Sequence, residues 1–344
     1  MSEVFILGAA ATRLGPPGSS SADLTLLAAE AALRRAGVDQ ADVPGVFVGA
    51  AGETADSDAV AARLGLRRLG FRADTRIEHV SASACEALQR AYQAVEMGVY
   101  DTVLCVGAGA LPSEPWPCPA LLAARAEAAR SYMTASGATV DHLARISAKN
   151  LNHGALEDGG AAHSVEEVLE SELLDWPLTR LMVAGAGRGA AALVLGDSAS
   201  PAAPRLLTSL MVQPDSREGG AERAARLAYE AAGLGPEEVD CAELADVTAA
   251  AELAAYEELQ LAPPGQGPEL IDSGFTALGG VLPVNTSGGL LWHGELPSSS
   301  GLAQVCQLAW QLRGEAGALQ VEGAKVGLAQ SGGNGLVAVT IVAA

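Results

Sequence analysis

Cys85 is the residue of this chain best placed to do chemistry. It lies in SASACEALQRAYQAVEMG (81–98), at the end of an apolar stretch and in the first turn of an expected helix. Unsatisfied backbone N–H groups and the helix dipole favour a thiolate at such a point, so the spacing predicts a nucleophile with a lowered pKa. The competing reading is a small buried side chain, the usual place of a free cysteine. The five cysteines, Cys85, Cys105, Cys118, Cys241 and Cys306, are widely spaced and form no Cys-x-x-Cys pair, so neither a disulfide framework nor a zinc site is indicated. His79, His142, His153 and His163 have no metal-ligand spacing, and GAGRGAA (185–191) lacks the strand, helix and acidic partner of a dinucleotide loop. No metal and no resident cofactor is expected.

The chain around this cysteine is long and apolar. Its 344 residues suit two domains or one large α/β unit, and with 49% hydrophobic and 18% charged residues it can bury a sizeable core. A net charge of −20 argues against nucleic acid, whose binding needs a basic stripe to displace phosphate counterions. The N-terminus lacks a basic stretch followed by an apolar one, and no apolar run reaches the roughly 18 residues of a membrane span. A reducing cytoplasm, away from membranes, is the expected location.

Strands and helices alternate, which favours a layered α/β fold. Residues 4–10, 46–50, 102–110 and 189–197 read as strands, 326–343 as two strands around a Gly-rich turn, and Asp23 opens a helix that runs to Arg35 after the loop at 15–21. The chain repeats itself: 26–49 and 222–246 each combine a helix, an Ala-Gly stop, an acidic loop and a Val-led strand. Residues 111–180 form an insertion, with a proline-rich exit at 111–119, helices at 120–135 and 139–150, a turn at 154–160, and a capping box at Ser164-x-x-Glu167. The expected division is an N-terminal half (1–110 and 181–200), the inserted loop domain (111–180) and a C-terminal half (201–344).

Three segments carry a family resemblance. SACEALQRAYQAVEMGVYDTVLCVGAG (83–109) resembles the nucleophile segment of the thiolase superfamily, residues 129–155 resemble the loop domain of the sterol-carrier-protein type of thiolase, and VNTSGGLLWHGELPSSSGLAQ (284–304) resembles the C-terminal signature. The match runs in order over essentially the whole chain. It implies two similar halves packed as a five-layered αβαβα unit, dimerised, with a CoA thioester as substrate under the loop domain. The family reaction is a Claisen condensation or its thiolytic reverse, which needs an acylated cysteine, a histidine, a second acid/base and two oxyanion holes.

Set against that pattern, Cys85 keeps the nucleophile position, and the backbone N–H groups of Cys85 and Gly332 correspond to the hole that holds the thioester oxygen. Three positions depart from it. Glu295 stands where the Gly-His-Pro histidine is expected, and a carboxylate there serves as a replacement base only if burial raises its pKa. Gln330, before Ser331, occupies the second acid/base position and cannot exchange a proton; Ala245 replaces the His or Asn that orients a water, while Asp246 is retained. His293 is a weaker substitute, because in an extended segment it shares the face of Glu295 about 6–7 Å along the chain. Arg125, Arg130, Arg145 and Lys149 fall on the loop-domain helices, either to meet a CoA phosphate or as a solvated face.

The function expected from these residues is a thiolase-like acyltransferase that does not support ordinary Claisen condensation. The alternatives are a catalytically silent subunit of a complex, and altered chemistry such as retro-aldol cleavage or thioester hydrolysis. By resemblance, a homodimer or a small zinc and OB-fold protein is the expected partner.

Overall fold

A computed structural model describes the chain apart from residues 1, 13–18, 51–55, 82, 111–115, 199–201, 215–218, 297 and 334. The N-terminal half comprises β1 (Phe5–Thr12), α1 (Ser21–Ala36), β2 (Gly45–Gly49), α2 (Ser57–Arg63), β3 (Arg76–Ser81), α3 (Ala84–Glu96) and β4 (Thr102–Ala110). Then follow α4 (Pro119–Ser136), α5 (Val140–Asp158), α6 (Val165–Glu170) and the short strands β5 (Leu173–Asp175) and β6 (Leu178–Thr179), before β7 (Arg188–Gly196) returns to the main sheet. The remainder comprises β8 (Arg205–Val212), α7 (Gly220–Ala232), β9 (Cys241–Glu243), α8 (Ala249–Glu258), α9 (Gly267–Asp272), α10 (Gly289–His293), α11 (Ser300–Arg313), β10 (Val326–Gly333) and β11 (Leu336–Ala343).

The strands follow the order β3-β2-β4-β7-β1-β8-β11-β10-β9. β2 runs parallel to β4, β4 antiparallel to β7, and β7 antiparallel to β1; β9, β10, β11 and β8 repeat those relations. The duplication read in the sequence is therefore a duplication of topology, with α1–β2 and α7–β9 in equivalent places. The two sheets join at the register pair Phe5–Arg205.

Successive residues of a strand face opposite ways, so a strand buried on both faces reads as an unbroken apolar run. In β7, Ala190, Ala192 and Val194 pack with α1 and α2, while Ala191, Leu193 and Leu195 pack with α3 and α11. On the far side of the second sheet, Leu328, Val339 and Ile341 meet α7, α8 and the inserted helices. The layers are thus helix, sheet, helix, sheet, helix, with α3 and α11 in the middle, and Cys85 opens the first of these central helices.

Most elements fall where the sequence places them, and the Ser164–Glu167 capping box is present. The expected turn at 154–160 is the main error. α5 continues to Asp158 and stops on the left-handed Gly159, because Gly154 inside the helix is a contact point and not a breaker. A Cβ on Gly154 would lie 2.2 Å from Cγ of Trp292. We expect Gly154→Ala to destabilise by about 2–3 kcal/mol in urea titrations, since overpacking against the indole outweighs the ~1 kcal/mol gained in helix propensity. A neutral or stabilising effect would mean that Trp292 does not seat α10 on α5. The 15–21 and 111–119 loops lie partly outside the described residues. No helix among them is long and apolar enough to cross a membrane.

Candidate functional site

Three elements converge on Cys85. It is the second residue of α3, after the N-cap Ser83, so its amide N–H lies among those without an intrahelical acceptor. The start of α11 presses on the sulfur, and a Cβ on Gly301 would come within 2.2 Å of Sγ. Ser331 near the end of β10 and Ser83 hydrogen-bond the thiol, which brings Gly332 to the same place. Cys85 is 7% exposed, and burial pushes its pKa above the ordinary 9.0, only partly offset by the two serines. The expectation of a lowered pKa is overturned here, because desolvation of a thiolate outweighs the favourable end of the helix.

Glu295 is fixed by the loop domain. Arg125 Nη2 of α4 donates to Glu295 Oε2 at 2.5 Å, and Trp116 Nε1 donates to the same oxygen at 3.1 Å. The two charged side chains are 10% and 15% exposed, and the guanidinium lies 6.0 Å from the Trp116 ring centroid. Arg125 is therefore not part of a solvated helix face. The other basic residues are paired too. Arg130 binds Glu127 and Asp175, Arg145 binds Asp141 and Asp272, and Lys149 is buried against Glu252 at 2.7 Å.

Ala245 and Gln330 meet: the Ala245 N–H donates to Gln330 Oε1 at 3.0 Å, and Gln330 is buried. Asp246 accepts from the N–H groups of Leu290 and Leu291 at 2.6 and 3.2 Å and from Asn150 Nδ2 at 2.8 Å. That explains the paired glycines of the signature: Gly289 takes φ +63°, and a Cβ there would sit 2.2 Å from Asp246 Oδ2. His293 ends α10 and donates from Nε2 to the Ser287 carbonyl at 2.7 Å. The extended segment assumed for it is a helix, so it does not share a strand face with Glu295.

A narrow cleft of about 60 Å³ opens beside α11, lined among others by Glu243, Ser287, His293, Leu296, Ser299 and Gln304, but not by Cys85. Among the described residues no group of three or more His, Cys, Asp or Glu could hold a metal. Sequence reasoning missed Trp116 and Ser83, which carry no spacing signal, and did not separate Arg125 from the other arginines of the inserted helices.

Comparison with known proteins gives this arrangement its class. The model for the thiolase N-terminal domain matches residues 4–157, and that for the thiolase C-terminal domain-like region matches residues 208–343. Sterol carrier protein 2 of Bos taurus is 31% identical over 98% of this chain and 72% of its own length. An acetyl-CoA acetyltransferase of Methanothermobacter thermautotrophicus is 30% identical over 97% of each. The chain belongs to the thiolase family. Among solved structures, the Ltp2-ChsH2(DUF35) aldolase superposes with a TM-score of 0.82 at 22% identity, covering 99% of this chain and 98% of that one. Human mitochondrial 3-ketoacyl-CoA thiolase superposes with a TM-score of 0.76 at 18% identity, covering 100% and 99%. These likenesses establish the thiolase fold.

Proposed function

We propose that this protein binds an acyl-CoA or related acyl thioester beside Cys85 and has given up the proton transfers of Claisen condensation. The observation that carries the reading is the Ala245–Gln330 hydrogen bond of 3.0 Å, which closes the two positions where proton-moving or water-orienting groups are expected. An amide and a methyl group cannot shuttle a proton. Cys85 itself has serine hydroxyls as hydrogen-bond partners, and these do not take its proton near neutral pH. Acyl transfer onto Cys85, with the thioester oxygen on the N–H groups of Cys85 and Gly332, remains compatible with the geometry. In this reading the protein works as a dimer in a reducing cytoplasm.

Mass spectrometry after incubation with acetyl-CoA and octanoyl-CoA tests this. The expected result is a slow single-turnover adduct on Cys85 whose rate rises about tenfold per pH unit between pH 7 and 9, because the raised thiol pKa leaves little thiolate. Condensation and thiolysis should lie a thousandfold or more below an ordinary thiolase, since lost acid/base groups cost on the order of 10² to 10⁴ each. Ordinary thiolase turnover would sink the proposal. No adduct from any donor, with Cys85→Ala unchanged in every assay, would favour the silent subunit.

A second reading is retro-aldol cleavage of a CoA-linked substrate, together with a small DUF35-type partner of zinc and OB-fold construction. It is supported by the higher TM-score to the Ltp2-ChsH2(DUF35) aldolase than to the human thiolase, and by chemistry that needs no acylated cysteine. Co-expression with a candidate partner, followed by size-exclusion chromatography, tests it.

A further inference from the structure

The loop domain delivers a cation to the position where the family resemblance expects a histidine. A guanidinium carries five N–H donors in a fixed fork. In Arg125, Nη2 is taken by Glu295, whereas Nη1 is shielded from solvent and has no acceptor. The side chain is 10% exposed, and the Trp116 ring flanks it at 6.0 Å. A buried donor left without a partner is destabilising, and more so when it is charged. Buried Lys149, by contrast, reaches both Glu252 Oε1 and the Val284 carbonyl. Glu295 already balances the charge of Arg125, so the missing group is an acceptor oxygen and not a second anion.

We propose that Arg125 Nη1 donates to the acyl oxygen of the bound coenzyme A thioester before its acyl group moves to Cys85, supplying a charged N–H donor that neither Ala245 nor Gln330 carries. This rests on the acyl-thioester reading above. The ligand class it selects is a coenzyme A derivative with a carbonyl at or beside the sulfur. Glu295 then has a second effect: by sharing the guanidinium charge it tempers how strongly that oxygen is polarised.

Two thioethers isolate the oxygen without any acyl transfer: S-(2-oxopropyl)-coenzyme A and S-propyl-coenzyme A differ by the ketone oxygen alone. Isothermal titration of the full chain should give wild type a preference for the ketone of roughly 10- to 100-fold, the value of a charge-assisted hydrogen bond. Arg125→Gln should reduce that ratio to near one with S-propyl-coenzyme A affinity unchanged. Glu295→Gln, which keeps an acceptor for Nη2 and removes its charge, should raise the ratio and lower the infrared frequency of the bound ketone. That opposite movement distinguishes ligand contact from a merely structural pair, and it decides the matter should Arg125→Gln fail to fold. Binding of both thioethers without preference, or a preference kept in Arg125→Gln, overturns the role of Arg125 and leaves thioester binding standing. Binding of neither overturns both.

Discussion

Replacing Lys149 by alanine will lower the stability of the fold by about 3–5 kcal/mol, the largest effect we expect of any single substitution in this chain. Lys149 and Glu252 have side chains 5% and 0% exposed, so removing the ammonium strands a carboxylate where water does not reach it. Glu252 is the centre of a buried polar knot. Its oxygens also accept from Asn150 Nδ2 at 2.5 Å, from Asn285 Nδ2 at 2.6 Å and from the Tyr256 hydroxyl. Asn285 in turn accepts from the Leu244 N–H at 2.7 Å, just before Ala245 and Asp246. The knot therefore ties α5 and α8 to the loop that carries Ala245 and Asp246. Guanidine or urea melts followed by circular dichroism give the loss directly. A double Lys149→Met, Glu252→Gln variant should lose less than Lys149→Ala, because it removes both charges together. A loss below about 1 kcal/mol in Lys149→Ala would contradict a charged, unhydrated pair.

The second large effect appears as two opposite pH profiles. His153 Nδ1 lies 3.0 Å from the Asn285 carbonyl and Nε2 accepts from the Leu278 N–H at 3.1 Å, so the ring is neutral with its proton on Nδ1. Burial, and then the charge of Lys149, lower its pKa from 6.5 to about 4. Burial, and then the Glu252 carboxylate, raise Asp246 from 3.8 to about 7. The depressed histidine contributes stability that is full above its unfolded pKa and is lost as pH falls from about 6.5 to 4. The raised aspartate works the other way: its contribution is full below its unfolded pKa and is lost as pH rises from about 4 to 7. In the window they share, the folded chain keeps on Asp246 the proton that the unfolded chain keeps on His153, and the two slopes offset each other.

Removing one group uncovers the other. His153→Gln preserves a donor and an acceptor, and relative to wild type it should become less stable as pH rises from about 4 to 6.5. Asp246→Asn, less stable at every pH for want of one acceptor, should lose further stability relative to wild type as pH falls from about 7 to 4. The change should be on the order of 3 kcal/mol across the His153 window and 4 kcal/mol across the Asp246 window, from roughly 1.4 kcal/mol per pH unit. Parallel profiles for both variants would show that neither group changes its proton affinity on folding.

What could be read without the structure follows from how local the signal is. Apolar runs such as 189–197, with both faces buried, and glycine stops such as Gly37 depend on near neighbours, so β7 and α1 were legible from a short window. Gly154 was misread because a glycine breaker and a glycine contact look alike in sequence; only Trp292, 138 positions away, distinguishes them.

The sequence by itself determined the family, the duplicated α/β architecture, the place of Cys85 at the start of a helix, and which residues, Ala245, Glu295 and Gln330, stand where the resemblance expects acid/base or water-orienting groups. Each of these is a matter of which side chains are present and in what order. The tertiary structure decided what those side chains experience. It buries the thiol that the helix terminus alone would have activated, pairs Gln330 with Ala245, and brings Arg125 across 170 residues to Glu295. Desolvation, pairing and an unfilled donor are properties of the space between elements, and that space is set by packing over long separations.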